Sequence, residues 1–322
     1  MADMRRIWKK IRHRLEVIGL DLLIWIIPRL SREHLLAVAR FAGDVVFELD
    51  HRGRRVALAN LDVVFGDHYL PGEKNRIARD SFRNLARTFL DLFWASSLTP
   101  AEFLSLLDIH GRENFDFPLP PGQGRIFFSA HLGNFEWLSL FWGAIGMDAV
   151  VVGQDIKNPA ITPYFNRARS HFGLAFIPKE RAVLRLFKAL KRGGTCGFLV
   201  DLSLKLDQPG TVTDNFGLKK WGIAIHHTLA EMTQARLLPI FCLPLPDGRY
   251  EIRALPEVVL EDTLSEAENI QRCWSPIEAM IRERPECWLW LYKHWRYRPD
   301  NAAHYPFYAQ SNPGFDKKLA QD

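Results

Sequence analysis

A histidine closing an apolar run, with a glutamate five residues later, is the part of this chain best suited to chemistry. The segment reads Arg125-Ile-Phe-Phe-Ser-Ala-His131-Leu-Gly-Asn-Phe-Glu136. Ile126, Phe127 and Phe128 read as a buried strand, Gly133-Asn134 as a turn, and the stretch from Phe135 as a helix. A neutral imidazole can take a proton from a hydroxyl while a carboxylate holds its other ring nitrogen. On this reading His131 is a general base and Glu136 fixes its tautomer. A hydrogen-bonded structural histidine is the competing reading, and residue types alone leave both open.

The same spacing recurs at His68/Glu73 and His226/Glu231, so spacing does not decide. His68 sits beside Pro71-Gly72, a solvent turn. His226 and Glu231 fall on one expected helix, where residues five apart do not share a face. Only His131 lies at a strand-to-helix junction, where α/β enzymes place reactive groups.

The elements that must position this histidine alternate from about residue 106 onward. Strands are expected at 126–130, 149–153, 174–177, 196–201, 237–243 and 250–254, with helices near 134–145, 159–172, 180–191 and 222–235. Pro239 implies that its strand is an edge or starts later, and Gly193-Gly194 ends a helix. Upstream, residues 33–49 and 74–95 have helical spacing. Between them His51-Arg-Gly-Arg-Arg55 reads as a solvated basic run, with a substrate-phosphate role the lesser alternative. The fold class is therefore α/β, a sheet flanked by helices. Two units are expected: a basic and apolar helix over 1–30, and a catalytic domain over 31–322. The latter divides into a helical region (31–105), an α/β core (106–300) and a tail (301–322).

The chain has 322 residues, 48% of them hydrophobic and 12% aromatic, which suffices for a large packed core. Its net charge of +5 suits an anionic surface or substrate. Nucleic acid is disfavoured, because zinc-finger spacing, aromatic RNA-binding signatures and basic-zipper patterns are absent. Cys196, Cys242, Cys273 and Cys287 form no CxxC pair, which fits reduced thiols better than a disulfide framework or a metal site.

At the start, Arg5, Arg6, Lys9, Lys10, Arg12 and Arg14 precede an apolar stretch from Val17 to Ile27, interrupted by Asp21 and stopped by Pro28. That stretch falls short of the roughly 20 residues needed to span a bilayer. An interfacial helix with Trp8 and Trp25 as anchors is the favoured reading, over an amphipathic helix packed on the domain. Near the other end, Trp288, Trp290, Tyr292, Trp295 and Tyr297 interleave with Lys293, Arg296 and Arg298. A bilayer interface and an arginine-capped core explain that pattern equally well.

Taken in order, these pieces resemble the bacterial late acyltransferases of lipid A biosynthesis, the lauroyl/myristoyl transferase family. The resemblance rests on His110-Gly-Arg-Glu-Asn-Phe115, Ser129-Ala-His131-Leu-Gly-Asn-Phe-Glu136-Trp137, Asn158-Pro159, Arg167-Ala-Arg169 with Gly173, and Lys191-x-Gly193 before a strand ending at Asp201. Phe216-Gly217 and the segment from Pro285 to Pro299 complete it. It implies a glycerolipid-acyltransferase-like fold on the cytoplasmic face of the inner membrane. It further implies transfer of a fatty acyl group from a thioester, usually on acyl carrier protein, to a hydroxyl of a phosphorylated glycolipid, without cofactor or metal. Within it Arg169 is the candidate to hold a substrate phosphate or the oxyanion, with Arg167 its rival. Asp201 would orient that arginine or the acceptor sugar, and Asn134 with Gly133 would form the turn or lend an oxyanion N–H. Asn215-Phe216-Gly217 and Ile223-Ala-Ile-His-His227 depart from the family pattern, leaving chain length and acceptor open. Another lipid acceptor (a phosphatidylinositol mannoside or lysophospholipid), a thioesterase and a non-catalytic lipid binder are the alternatives. The absence of a G-x-S-x-G elbow weighs against the thioesterase.

Overall fold

The computed structural model describes residues 2–152, 158–177 and 182–321. The expected strand end at Gly153 and the expected helix start at Glu180 and Arg181 lie outside them. Helix α1 (Ala2–Ile26) carries the basic and apolar start and gives way to a turn holding Pro28. Ser31 caps α2 (Arg32–Leu49), and Asp50 caps α3 (His51–Phe65) by accepting from the Gly53 N–H at 2.8 Å. The basic run at His51–Arg55 is thus the first turn of α3: Arg54 pairs with Glu48, and Arg55 lies over the Phe307 ring. Pro71 opens α4 (Pro71–Trp94), and Thr99 caps α5 (Pro100–Ser105).

After β1 (Leu107–His110) the chain alternates strand and helix. β2 (Arg125–Ser129) leads to α6 (Phe135–Ala144), β3 (Ala149–Val152) to α7 (Thr162–Arg169), and β4 (Ala175–Ile177) to α8 (Ala182–Leu190). β5 (Thr195–Leu199) precedes a hairpin, β6 (Thr211–Asn215) and β7 (Leu218–Gly222). α9 (Ile225–Thr233), β8 (Arg236–Pro244), β9 (Tyr250–Ala254) and α10 (Glu266–Glu283) follow. A small pair, β10 (Tyr297–Arg298) and β11 (Gln310–Ser311), precedes α11 (Pro313–Leu319).

Seven strands form one mixed sheet in the order β1-β9-β8-β2-β5-β3-β4, with β8 and β9 antiparallel and the remaining neighbours parallel. Each face buries its own core. Ile126, Phe128, Leu237 and Phe241 face one, with α8, α9 and α10. Phe127, Leu238, Ile240 and Cys242 face the other, with α6 and the inner side of α1.

β8 is interior, which corrects the expectation that Pro239 marks an edge or a later start. Pro239 sits at a handover: β2 pairs with β8 as far as Pro239, and β9 takes up pairing from Ile240. The missing N–H falls where neither ladder is continuous. The C-terminal aromatics also resolve. Trp288, Trp290 and Trp295 are buried in the core, so core packing and not a bilayer interface accounts for them.

α4 holds the turn after β2. The Asn84 and Thr88 side chains donate to the Gly133 carbonyl at 3.1 Å each. One turn on, the fully buried Asp91 accepts from Arg32 and the Tyr250 hydroxyl, with Arg87 Nε at 3.4 Å and Asn134 Nδ2 at 3.5 Å. Removing that carboxylate would strand two largely buried guanidinium groups. Asp91→Ala is therefore expected to lower unfolding free energy by about 3–5 kcal/mol. Urea denaturation reads this as a lower midpoint at unchanged slope; a wild-type midpoint would exclude Asp91 as the anchor.

Candidate active site

His131 lies just beyond the end of β2, its ring edge-on to Phe135 with centroids 4.8 Å apart. Its Nδ1 is 2.8 Å from Asp201 Oδ1. Sheet register explains the meeting. Ser129 pairs with Leu199, so two residues further along parallel neighbours bring His131 beside Asp201. An ionised carboxylate can only accept, so Nδ1 is the donor and Nε2 presents its lone pair.

Glu136 is not the ring's partner. Both its oxygens are taken by Arg169, from Nε at 2.7 Å and Nη2 at 2.5 Å. The expected His131–Glu136 pair is therefore replaced by two pairs, His131–Asp201 and Glu136–Arg169. The cause is local: Glu136 stands on the first turn of α6 facing the end of α7, while β5 delivers an acid directly alongside the imidazole. The same geometry overturns the orienting role expected for Asp201 toward the arginine.

Asn134 and Gly133 are structural. Asn134 is fully buried, caps α6 by accepting from the Trp137 N–H, and reaches Asp91. The Gly133 and Asn134 backbone N–H groups donate to the Cys287 and Cys242 carbonyls at 2.9 and 2.7 Å. Neither is left for an oxyanion, which corrects that expectation. Gly133 has φ +60°, and a Cβ there would meet the Cys242 oxygen at 2.1 Å, so only glycine fits. Arg167 lies on the exposed side of α7, outside the cavity.

His131, Glu136 and Arg169 line a mainly apolar cavity of about 530 Å³. Phe127, Phe128, Leu138, Trp142, Gly197 and Phe198 form one part of its wall; Leu186, Leu202, Ile223 and Ile225 form another. The Ser129 hydroxyl lines it too, buried and without a hydrogen-bond partner among the described residues. None of the four cysteines lines it, and burial pushes the Cys196 and Cys273 thiols up to about 12.

Residues that the sequence reading missed sit behind Asp201. Trp288 Nε1 donates to its Oδ2 at 2.9 Å, and Lys220 Nζ donates to its backbone carbonyl at 2.6 Å. His294 stacks on Trp288, ring centroids 3.8 Å apart, and burial holds its pKa down at about 3. Lys220, in the unpredicted β7, carries no signal in the sequence beyond being a lysine. The Pro285–Pro299 segment was visible as a motif, but not its contact with Asp201.

Burial draws Lys220 down from 10.5 to about 8, against the opposing pull of Asp201. A lysine with a lowered folded pKa binds fewer protons folded than unfolded across that interval. Its contribution to stability therefore grows as pH rises from about 8 to 10.5 and is smallest below 8. Denaturation curves over this range should show the gap between wild type and Lys220→Met shifting in favour of wild type as pH rises. A gap independent of pH would refute the assignment.

Among known families, the sequence model of the bacterial lipid A biosynthesis acyltransferases matches residues 8–297. No curated protein matches the chain. The matched span takes in His131, Glu136, Arg169 and Asp201, the whole seven-stranded sheet and most of α1. The chain is an acyltransferase and belongs to the bacterial lipid A biosynthesis acyltransferase family.

Proposed function

We propose that the protein moves a fatty acyl group from an acyl carrier protein thioester to a hydroxyl of a membrane glycolipid, a lipid A precursor. The observation that carries this reading is His131, fixed through Nδ1 by a buried carboxylate and lining an apolar cavity. The acceptor hydroxyl gives its proton to Nε2 as its oxygen attacks the thioester carbon. Asp201 stays ionised and stabilises the imidazolium, as a triad aspartate does. The Ser129 hydroxyl is the candidate donor to the carbonyl oxygen as it turns negative. Collapse breaks the carbon–sulfur bond, and the imidazolium proton goes to the departing thiolate. An ester and a free thiol result. The thioester is already activated, so the step draws on no cofactor.

The carrier reading is supported by α8. Arg185 and Lys188 on this helix, with Lys191 and Arg192 just after it, are exposed and have no ion-pair partner among the described residues. Beside them Val183, Leu184 and Met232 form an apolar surface groove, and Val183 also lines the cavity. An acidic carrier delivering a chain fits that surface.

The membrane reading is supported by α1. Met4, Trp8, Ile11, Leu15, Ile18, Leu22 and Trp25 form one exposed stripe at alternating spacings of four and three, with Lys10, Arg12 and Arg14 exposed beside it. Leu20, Leu23 and Ile24 pack against the core from the other side. No described helix is long and apolar enough to cross a membrane. This arrangement supports reading α1 as an interfacial helix, which we place on the cytoplasmic face of the inner membrane.

Two experiments test these readings. Purified protein is given carrier-protein or coenzyme A thioesters and, in turn, a lipid A precursor, a phosphatidylinositol mannoside, a lysophospholipid or water, with products read by mass spectrometry. Transfer to the lipid A precursor is expected, and His131→Ala or Asp201→Asn should slow it by about 10²–10⁴-fold with the fold intact. Undiminished transfer by His131→Ala refutes the base. In flotation assays the protein should bind anionic vesicles, and Trp8→Glu with Leu15→Glu should release it; unchanged binding refutes the α1 contact.

A further inference from the structure

We propose that Trp142, seated on Gly197, is the wall that ends the acyl-chain slot of this cavity and sets the longest fatty chain accepted. The proposal rests on the acyl-transfer reading and deepens it. It starts from strand register. Phe127, Gly197 and Val151 are paired neighbours across β2, β5 and β3, and all three line the cavity. The next layer on that face, Arg125, Thr195 and Ala149, does not. The slot therefore stops at the Phe127 layer, four residues down the strand from His131, or about 13 Å at strand rise. α6 runs down the same wall, with Glu136, Ser139 and Trp142 all lining it. Trp142 is six residues below Glu136, about 9 Å along the helix.

At that depth Trp142 lies on the sheet because Gly197 has no side chain. A Cβ on Gly197 would stand 2.5 and 2.6 Å from two carbons of the Trp142 ring, and 3.4 Å from Val151 Cγ2. Phe127 stacks on the same indole, centroids 5.3 Å apart and planes 21° from parallel. A glycine inside a buried strand weakens it, and close approach of another group is the usual reason for one. The Trp142 Nε1 has no hydrogen-bond partner among the described residues, so packing alone holds the ring. An alanine at 197 would have to push the ring by about 1 Å to restore ordinary carbon contact, and the open side is the slot. A smaller residue at 142 would remove the wall and lengthen it.

The two substitutions therefore push in opposite directions, which a general loss of packing would not do. Donors of graded chain length are compared in wild type, Gly197→Ala and Trp142→Leu, each checked for folding by circular dichroism. The ratio of kcat/KM for a longer to a shorter chain should rise in Trp142→Leu and fall in Gly197→Ala. Each buried methylene is worth about fourfold in binding, so chains two methylenes apart should change their ratio about tenfold or more. Calorimetric binding of free fatty acids of the same lengths provides a readout that needs no turnover. Unshifted binding and transfer profiles overturn the proposal, and an unshifted Trp142→Leu alone does so where Gly197→Ala fails to fold. A wild type that binds chains with this length dependence yet transfers none rejects the acyl-transfer reading and leaves the wall standing.

Discussion

Asp201 carries its charge where its side chain meets no solvent, and much of the site is arranged to make that tolerable. A lone buried carboxylate costs several kcal/mol. Burial alone would raise its pKa; the charge His131 carries when protonated and its hydrogen bond, with His294 and Lys220 nearby, outweigh that and hold it well below the usual carboxylate range. One oxygen takes His131 and the other takes Trp288. An acid held ionised in this way can only accept, and that restriction decides which nitrogen of the imidazole is free. The tautomer follows from the burial of a residue two positions past a neighbouring strand.

Holding the two groups at 2.8 Å also requires that the chain after β2 not wander. Three polar residues on α4, one turn apart, grip the turn at Gly133 and Asn134. The turn's own N–H groups are spent on the Cys287 and Cys242 carbonyls. The Trp288 segment is tied in through the Leu289 N–H, which donates to the His131 carbonyl at 3.1 Å. Helix, sheet and C-terminal segment thus each fix His131, the proposed base, from a different direction. Such support is what keeps a catalytic group within a fraction of an ångström of its working position.

Apolar periodicity carried the parts of the fold that bury a face. Every strand and helix expected from such spacing has its counterpart, since each must hide a stripe or a run of side chains. Some of what escaped is where that signal is weak, while α3, which buries Val56, Ala57, Leu61 and Phe65, escaped behind its basic first turn. β1 is a four-residue edge strand, β6 and β7 are rich in Thr, Asp and Lys, and α10 has Pro276 inside its pattern. His131 was readable as a candidate base because it closes an apolar run at a strand-to-helix junction. Its partner was not, because proximity in sequence argued for Glu136, and the pairing depends on which strand lies beside β2. Had β5 been set parallel to β2 from the start, the equal offsets of His131 and Asp201 past their strands would have pointed to each other.

The five-residue spacing from His131 to Glu136 still has a physical meaning, though the two do not bond. With Asp201 on Nδ1, a second free carboxylate at the cavity wall could only reach for Nε2. On the proposed mechanism it would occupy the place of the acceptor hydroxyl, and by favouring imidazolium it would remove the lone pair on Nε2. Arg169 prevents this by claiming both Glu136 oxygens in a two-pronged contact, the geometry in which an arginine holds a carboxylate best. Burial opposes the charge on Arg169, but the Glu136 charge and hydrogen bonds win and raise its pKa, so the pair stays ionised together. What faces the cavity there is a neutral sum on a mostly apolar surface. On this account the glutamate and arginine serve the histidine by staying with each other.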